Sequence, residues 1–400
     1  MAKTSKKSFR RSILLPPLAG LIAVLSGTAA FAAPHMRAPN TEHTPTQLQR
    51  DADALRETAA AGVLAEVWTP GGRAVARSGV ADLKTGAPVR PDSYYRIGST
   101  TKTFVATVAL QLVGEGKLAL TDTVQRWLPG VVRGNGNDGT KITVRHLLGH
   151  TSGLPDYLDD VPMEMARTPE DFRRERFRTY SPAQLVAKAM QHRPAFKPGR
   201  DWAYSNTNYI LVGMIIEKAA GHPWQQEVHE RIIEPLGLQH TLIPGTSAHL
   251  PQPHMTAYRR LVPGGPEIDV STFAGGHPDA SLISTTSDVN RFFQALLGGR
   301  LLRPAQLKQM QQTVPAKPFQ GIWRDAAYGL GLMKRRLPCG DEWAWFHGGG
   351  GWNYITDNAV TSDGRRTTTV FYTSRLAPDQ SPIQQYKTSA TLIDHTLCPS

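Results

Sequence analysis

Cysteine is the scarcest chemistry-bearing residue in this chain: Cys339 and Cys398 are the only two in 400 residues. Two thiols are too few for a cysteine-based metal site, and no further ligands stand at metal-binding spacing, so neither metal nor cofactor is expected. Internal repeats and low-complexity tracts are missing as well. No interleaving of aromatic with basic residues marks a nucleic-acid surface. Acids are absent from the first eleven residues, where Lys3, Lys6, Lys7, Arg10 and Arg11 stand. An apolar stretch from Ile13 to Leu25 follows, leading to Ala30-Phe31-Ala32 before Ala33. A basic start, an apolar run and a small-x-small site read as a secretory signal peptide over residues 1–32. The run is interrupted by Pro16 and Pro17 and is too short for a comfortable membrane span. The mature chain is therefore expected outside the cell with no stable span, and Arg10-Arg11 leaves the export route open.

Loss of residues 1–32 removes five positive charges, which lowers the net charge from +12 to +7. What remains gathers in "RRERFR", Arg173 to Arg178, and reads as a solvated face. In an oxidising compartment an isolated cysteine pair forms one disulfide, here Cys339 to Cys398, tying the last helix to an earlier strand. The mature length of roughly 370 residues suits one large or two intimately joined domains.

Residues 33–44 read as a flexible leader. Leu48, Ala52, Leu55 and Ala59 then recur at helical spacing. Two β-rich runs flank Pro70-Gly71-Gly72, a hairpin signal. From a helix that starts near Ser99 and continues to about Gly116, the chain is mainly helical until about residue 315, with apolar helices ending at Gly221 and near Gly298. Strand periodicity returns from Tyr328 in "YGLGLMKRR", "EWAWFHGGGG" and "NAVTSDGRRTTTVFYT", the last with a Ser362-Asp363-Gly364 turn. A final helix carries Ile383, Tyr386, Ala390, Ile393 and Leu397. Hairpins distant in sequence need partners to bury their apolar faces. The expected fold is thus an α/β domain, residues 45–118 plus 316–400, with an antiparallel sheet flanked by the terminal helices. A mainly helical domain, 119–315, is inserted in it, with the active site between the two.

Three short patterns carry chemistry. Ser99 and Lys102 stand three apart at a helix start, so the amine can reach the hydroxyl. About one such pair is expected by chance in a chain of this composition, so the spacing alone decides nothing. Tyr204 and Asn206 stand two apart before a helix; they can aim a phenol and an amide together, or serve as a core residue and a helix cap. His347 precedes Gly348, Gly349, Gly350 and Gly351 at a strand end, where glycine admits close approach of a ligand or simply marks a bulge.

In this order the three patterns resemble the motifs of the serine β-lactamase and penicillin-binding-protein superfamily, closest to its class C-like branch and its secreted D-alanyl-D-alanine carboxypeptidases. "VRHLLGHTSGLPDY" (Val144 to Tyr157) is similar to a loop of that branch, and the likeness runs from about residue 45 to the C-terminus; the pair Cys339 and Cys398 resembles a disulfide of those carboxypeptidases. The resemblance implies a β-lactamase/transpeptidase-like fold and an acyl-enzyme mechanism with Ser99 as nucleophile. Lys102 and Tyr204 act as a proton-handling pair, Asn206 orients Lys102 and the substrate amide, and His347 completes the polar network. Ser99 and Gly350 supply the oxyanion N–H groups. By the same resemblance His146 and His150 sit in a structural loop. One departure concerns the substrate. The carboxypeptidases carry His-Thr-Gly-Thr, whose hydroxyls help an arginine hold a terminal carboxylate; here Gly348 and Gly350 have none, so with Gly349 lining the site that task would fall to Lys334, Arg335 or Arg336, or be reduced. Expected partners are a peptidoglycan stem peptide or small acyl substrate, and β-lactams. The implied activity is a D-alanyl-D-alanine carboxypeptidase, with esterase, D-amino-acid amidase, class C-like β-lactamase and a penicillin-binding sensor module as alternatives. Nothing in the sequence gives the oligomeric state.

Overall fold

The computed structural model describes residues 44–376 and 380–398; the expected signal peptide and nearly all of the expected leader lie outside them. Helix α1 (Thr44–Glu57) buries Leu48, Ala52 and Leu55, one stripe at helical spacing. Strands β1 (Ala60–Thr69) and β2 (Gly72–Gly79) follow as a hairpin with Thr69 paired to Gly72. Later strands are β3 (Val314–Pro315), β4 (Ala327–Tyr328), β5 (Met333–Arg336), β6 (Trp343–Phe346), β7 (Gly349–Gly351), β8 (Tyr354–Thr361) and β9 (Thr367–Ser374). Among the described residues these nine form one sheet in the order β2-β1-β9-β8-β6-β5-β4-β3, with β7 also pairing β8. Every pairing is antiparallel, and β9, buried along its whole length, lies between β1 and β8. The first hairpin thus finds its partner roughly 300 residues or more later, which is why neither end suffices alone.

Between the two sets of strands lie α2 (Thr101–Gly114), α3 (Thr207–Ala220) and α4 (Thr286–Leu297), among shorter helices. Helix α2 is buried almost all round and packs on α3, and Phe104 stacks on Phe292 of α4 with ring centroids 3.6 Å apart. A helix apolar on every side belongs in a core. On the other face of the sheet α5 (Ile383–Leu397) lies beside α1. Cys339, beyond β5, is joined by a disulfide to Cys398 at the end of α5.

Two runs that read as single strands are broken, and both breaks serve α2 and its N-terminal turn. "YGLGLMKRR" folds back at Gly329-Leu330-Gly331, with Gly329 N–H bonded to Leu332 O at 2.7 Å. Gly331 has φ +76° and no room for a side chain, since a Cβ would lie 2.3 Å from that of Ala106 on α2. "EWAWFHGGGG" separates at His347-Gly348, so that β7 leaves the line of β6 and runs against the turn that carries Ser99.

Candidate active site

Ser99 occupies a single 3₁₀ turn, Gly98–Thr100, that leads directly into α2. Its preceding residue, Gly98, has φ +51°, a region costly for a side chain, and a Cβ there would stand 2.8 Å from Gly350 N. Likewise a Cβ on Gly349 would lie 1.9 Å from Ile97 O and 3.0 Å from Ser99 N. Glycine at 349 is therefore a packing requirement: it lets β7 close on the turn and brings the backbone of Ser99 and Gly350 together. Thr100 fixes the turn from behind by donating its hydroxyl to His347 O at 2.7 Å. Ser99 itself remains partly exposed.

One helical turn on, Lys102 is fully buried. Its Nζ stands 2.9 Å from Ser99 Oγ, 2.7 Å from Asn206 Oδ1 and 2.9 Å from the Asp279 carbonyl. As an ammonium, Lys102 donates to all three. As a free amine it keeps two N–H groups for Asn206 and Asp279 and turns its lone pair to Ser99, whose hydroxyl then becomes the donor. Burial lowers its pKa to about 8, against the opposing pull of the Asp279 and Asp156 carboxylates. About a tenth of the amines are then free at pH 7.

Asn206 stands at the N-cap position of α3 but caps nothing with its side chain. Instead its Nδ2 and backbone N–H donate to Asp156 Oδ2, at 2.8 and 3.1 Å, which turns Oδ1 toward Lys102. Tyr204 stacks on His150 with centroids 4.3 Å apart, and its ring lies 4.8 Å from Lys102 Nζ. The phenol has no well-formed hydrogen bond. Burial drives its pKa far above the usual value, opposed by the Ser99 hydroxyl, so Tyr204 rests neutral with its proton in place.

The histidines divide by what their rings hold. In His347, Nδ1 bonds Gly348 O at 2.7 Å and Nε2 the Tyr328 hydroxyl at 2.9 Å. Burial takes its pKa down to about 3, so it stays neutral. His146 completes a capping box with Thr143, and His150, buried, accepts from Ser205 N at 3.2 Å and supports Tyr204. Neither bonds to Ser99.

The structure does not bring Lys334 and Arg335 to the site. Arg335 is buried beneath α5, where it pairs with Asp394 at 2.6 Å, and Lys334 lies over Trp343, 4.2 Å from the ring centroid. Arg336 pairs with Asp325 at 3.1 Å, and none of the three lines a cavity that reaches Ser99. Two acids that the motifs do not mark are placed there instead: Asp156, inside "VRHLLGHTSGLPDY", and Asp279, whose carbonyl serves Lys102 while its Oδ2 accepts from Tyr157 at 2.8 Å.

Two cavities meet at Ser99. One, of about 370 Å³, is lined by Asn206, Tyr157, Glu164, Phe273 and Asp279. The other, of about 550 Å³, is lined by His347, Gly348, Phe319, Trp323, Asp357 and Arg259. Ser99, Tyr204, Gly350 and Trp352 belong to both. A reacting carbonyl at Ser99 would send its two halves into separate chambers.

The family model described as Beta-lactamase matches residues 47–390. A solved D-stereospecific amidohydrolase from Streptomyces sp. is 39% identical, with a TM-score of 0.80 over 89% of this chain and 99% of that one. Esterase EstB of Burkholderia gladioli is 35% identical over 46% of this chain and 48% of its own length. Penicillin-binding protein 4* of Bacillus subtilis is 28% identical over 65% of this chain and 56% of its own. The chain spans about half the length of these curated relatives.

Proposed function

Since the chain belongs to the Beta-lactamase family, within the superfamily of serine β-lactamases and penicillin-binding proteins, we propose that it is an exported acyl-enzyme hydrolase of D-amino-acyl amides and esters. The observation that carries the proposal is the buried Lys102 amine, 2.9 Å from Ser99 Oγ and with a lowered pKa. In this mechanism the free amine takes the Ser99 proton as Oγ attacks the carbonyl. The oxyanion so formed faces the Ser99 and Gly350 N–H groups. Tyr204 gives a proton to the departing amine or alcohol and is reprotonated through Lys102. Water then attacks the Ser99 ester by the same steps in reverse. Asn206, held by Asp156, keeps Lys102 in place and offers its remaining N–H to the acyl group, whose chamber is the one lined by Asn206; the leaving group occupies the chamber of His347 and Gly348.

Amides and esters are preferred over a free D-alanyl-D-alanine terminus because Gly348 and Gly350 carry no hydroxyl and Arg335 is engaged with Asp394. The resemblance of the Streptomyces amidohydrolase along nearly its whole length supports the D-configuration. A carboxypeptidase reading is favoured by one feature, Arg259, which lines the leaving-group chamber over Trp352. A substrate panel tests the proposal: D-amino-acid amides, short-chain p-nitrophenyl esters, D-Ala-D-Ala peptides and nitrocefin, together with mass spectrometry of a fluorophosphonate adduct. Amides and esters should turn over fastest and the adduct should lie on Ser99. Labelling at another serine, or turnover of the dipeptide or nitrocefin alone, sinks it.

A further inference from the structure

The leaving-group chamber holds two charges on different walls. Arg259 lies 4.7 Å over the Trp352 ring, and the Glu164 carboxylate counters its charge. Asp357, on β8, lines the chamber beside Gly348, where a Cβ would meet Asp357 Oδ1 at 3.3 Å. That is the place at which the resembled motif carries a threonine hydroxyl, one of the donors that help hold a substrate carboxylate. Here the donor is gone and an acid stands next to the vacated space.

Nothing near Asp357 cancels it fully. Arg335, its closest cation in effect, is committed to Asp394 and the Ala390 carbonyl under α5. Ser389 and Tyr386 face it from α5 and Tyr372 from β9, all uncharged in the working range. His347, at the adjoining wall, is neutral.

We infer that Asp357 sets leaving-group specificity: beside Gly348, its carboxylate rejects leaving groups that carry a carboxylate next to the scissile bond and admits uncharged amides and alcohols. The inference rests on the acyl-enzyme reading and names its substrate class. Two like charges at a half-buried site repel with less screening than in open water. Burial raises the Asp357 pKa to about 6. Above that pH the anion excludes a carboxylate. Below it the neutral acid can donate its O–H to one, so the discrimination should fade in acid.

The test compares N-acetyl-D-alanyl-D-alaninamide with N-acetyl-D-alanyl-D-alanine, whose leaving groups differ in the carboxylate alone. Their ratio of kcat/KM cancels the ionisation of Lys102, which both share. Wild type should favour the amide by at least about tenfold at pH 8 and approach parity at pH 5, whereas Asp357→Asn should stand near parity at both. An Asp357→Asn enzyme that keeps the wild-type ratio overturns the inference. If that variant does not fold, the wild-type profile decides: a ratio constant from pH 5 to 8 overturns it, and one that falls through pH 6 upholds it. Wild type that fluorophosphonate fails to label at Ser99 removes the acyl-enzyme reading and this inference with it; labelled wild type with a constant ratio removes the inference alone.

Discussion

Lys102 and His347 are both basic, both buried and both depressed in pKa by that burial, yet they stand in very different networks. Lys102 sits between α2, α3 and the Asp279 segment, and one of its three acceptors is a hydroxyl that can reverse its role. At the junction of β6 and β7, His347 has both ring nitrogens taken, one by its neighbour's carbonyl and the other by Tyr328. Desolvation makes each neutral form accessible, but only the hydroxyl that faces Lys102 opens on the substrate cavities; the Tyr328 hydroxyl that donates to His347 Nε2 is buried and holds its proton. A lowered pKa therefore identifies a base only where the geometry supplies an exchangeable proton.

The sharpest way to break this contrast is to remove each group in turn. Lys102→Ala should lower turnover of an ester or D-amino-acid amide by about 10⁴, because nucleophile and base act as a unit. His347→Gln, which keeps a hydrogen-bonding side chain, should cost about tenfold or less through misplacement of β7. Steady-state kinetics on folded variants, with folding checked by circular dichroism, reads both. Equal losses would mean that His347 takes part in proton transfer and that the distinction is false.

Next in size is a change of stability confined to the sheet side. The Cys339–Cys398 bridge closes a loop with a sequence separation of 59 and pins α5 across the face that carries Arg335 and Asp357. In the chain-entropy model its removal by Cys→Ser at both positions costs about 4 kcal/mol. Chemical denaturation should show that loss, while fluorophosphonate labelling of Ser99 at low temperature continues, because the Lys102 network lies on the other face of the sheet. Loss of labelling in folded protein would tie the two regions more closely than the contacts do.

The sequence marked Ser99, Lys102, Tyr204, Asn206 and His347 because each lies in a short pattern near an element end, and the structure brings all five around one point. It did not mark Asp156 or Asp279. Asp156 reaches Asn206 across 50 residues, and Asp279 serves Lys102 through its carbonyl, which no side-chain pattern records. Lys334 and Arg335 misled for a related reason. Strand alternation shows that neighbours face opposite ways, but not which face α5 covers, and that packing turns Arg335 away from Ser99. The terminal helices and the β1–β2 and β8–β9 hairpins were legible from periodicity and turn residues. The breaks at Gly329-Leu330-Gly331 and His347-Gly348 were not, since they answer to α2 and its first turn, elements more than 200 residues away.

The smallest predicted effect tests how the Lys102 region is tuned. The mechanism needs the free amine, so kcat/KM should climb about tenfold per pH unit in acid and level off near the Lys102 pKa of about 8. Asp156 influences that midpoint through its charge, since an anion close to an ammonium favours the protonated form and raises the pKa. Removing the charge must therefore lower it. Asp156→Asn removes the negative charge and keeps one accepting oxygen, enough for the Asn206 donors or for the Leu158 N–H but not for both, and should move the midpoint about half a unit toward acid. The plateau should fall by less than about tenfold, reflecting a less firmly held Asn206. A midpoint that stays while the plateau drops would show Asp156 acting through position alone. A midpoint that rises would mean that another group titrates, and Lys102 would lose its place as the base.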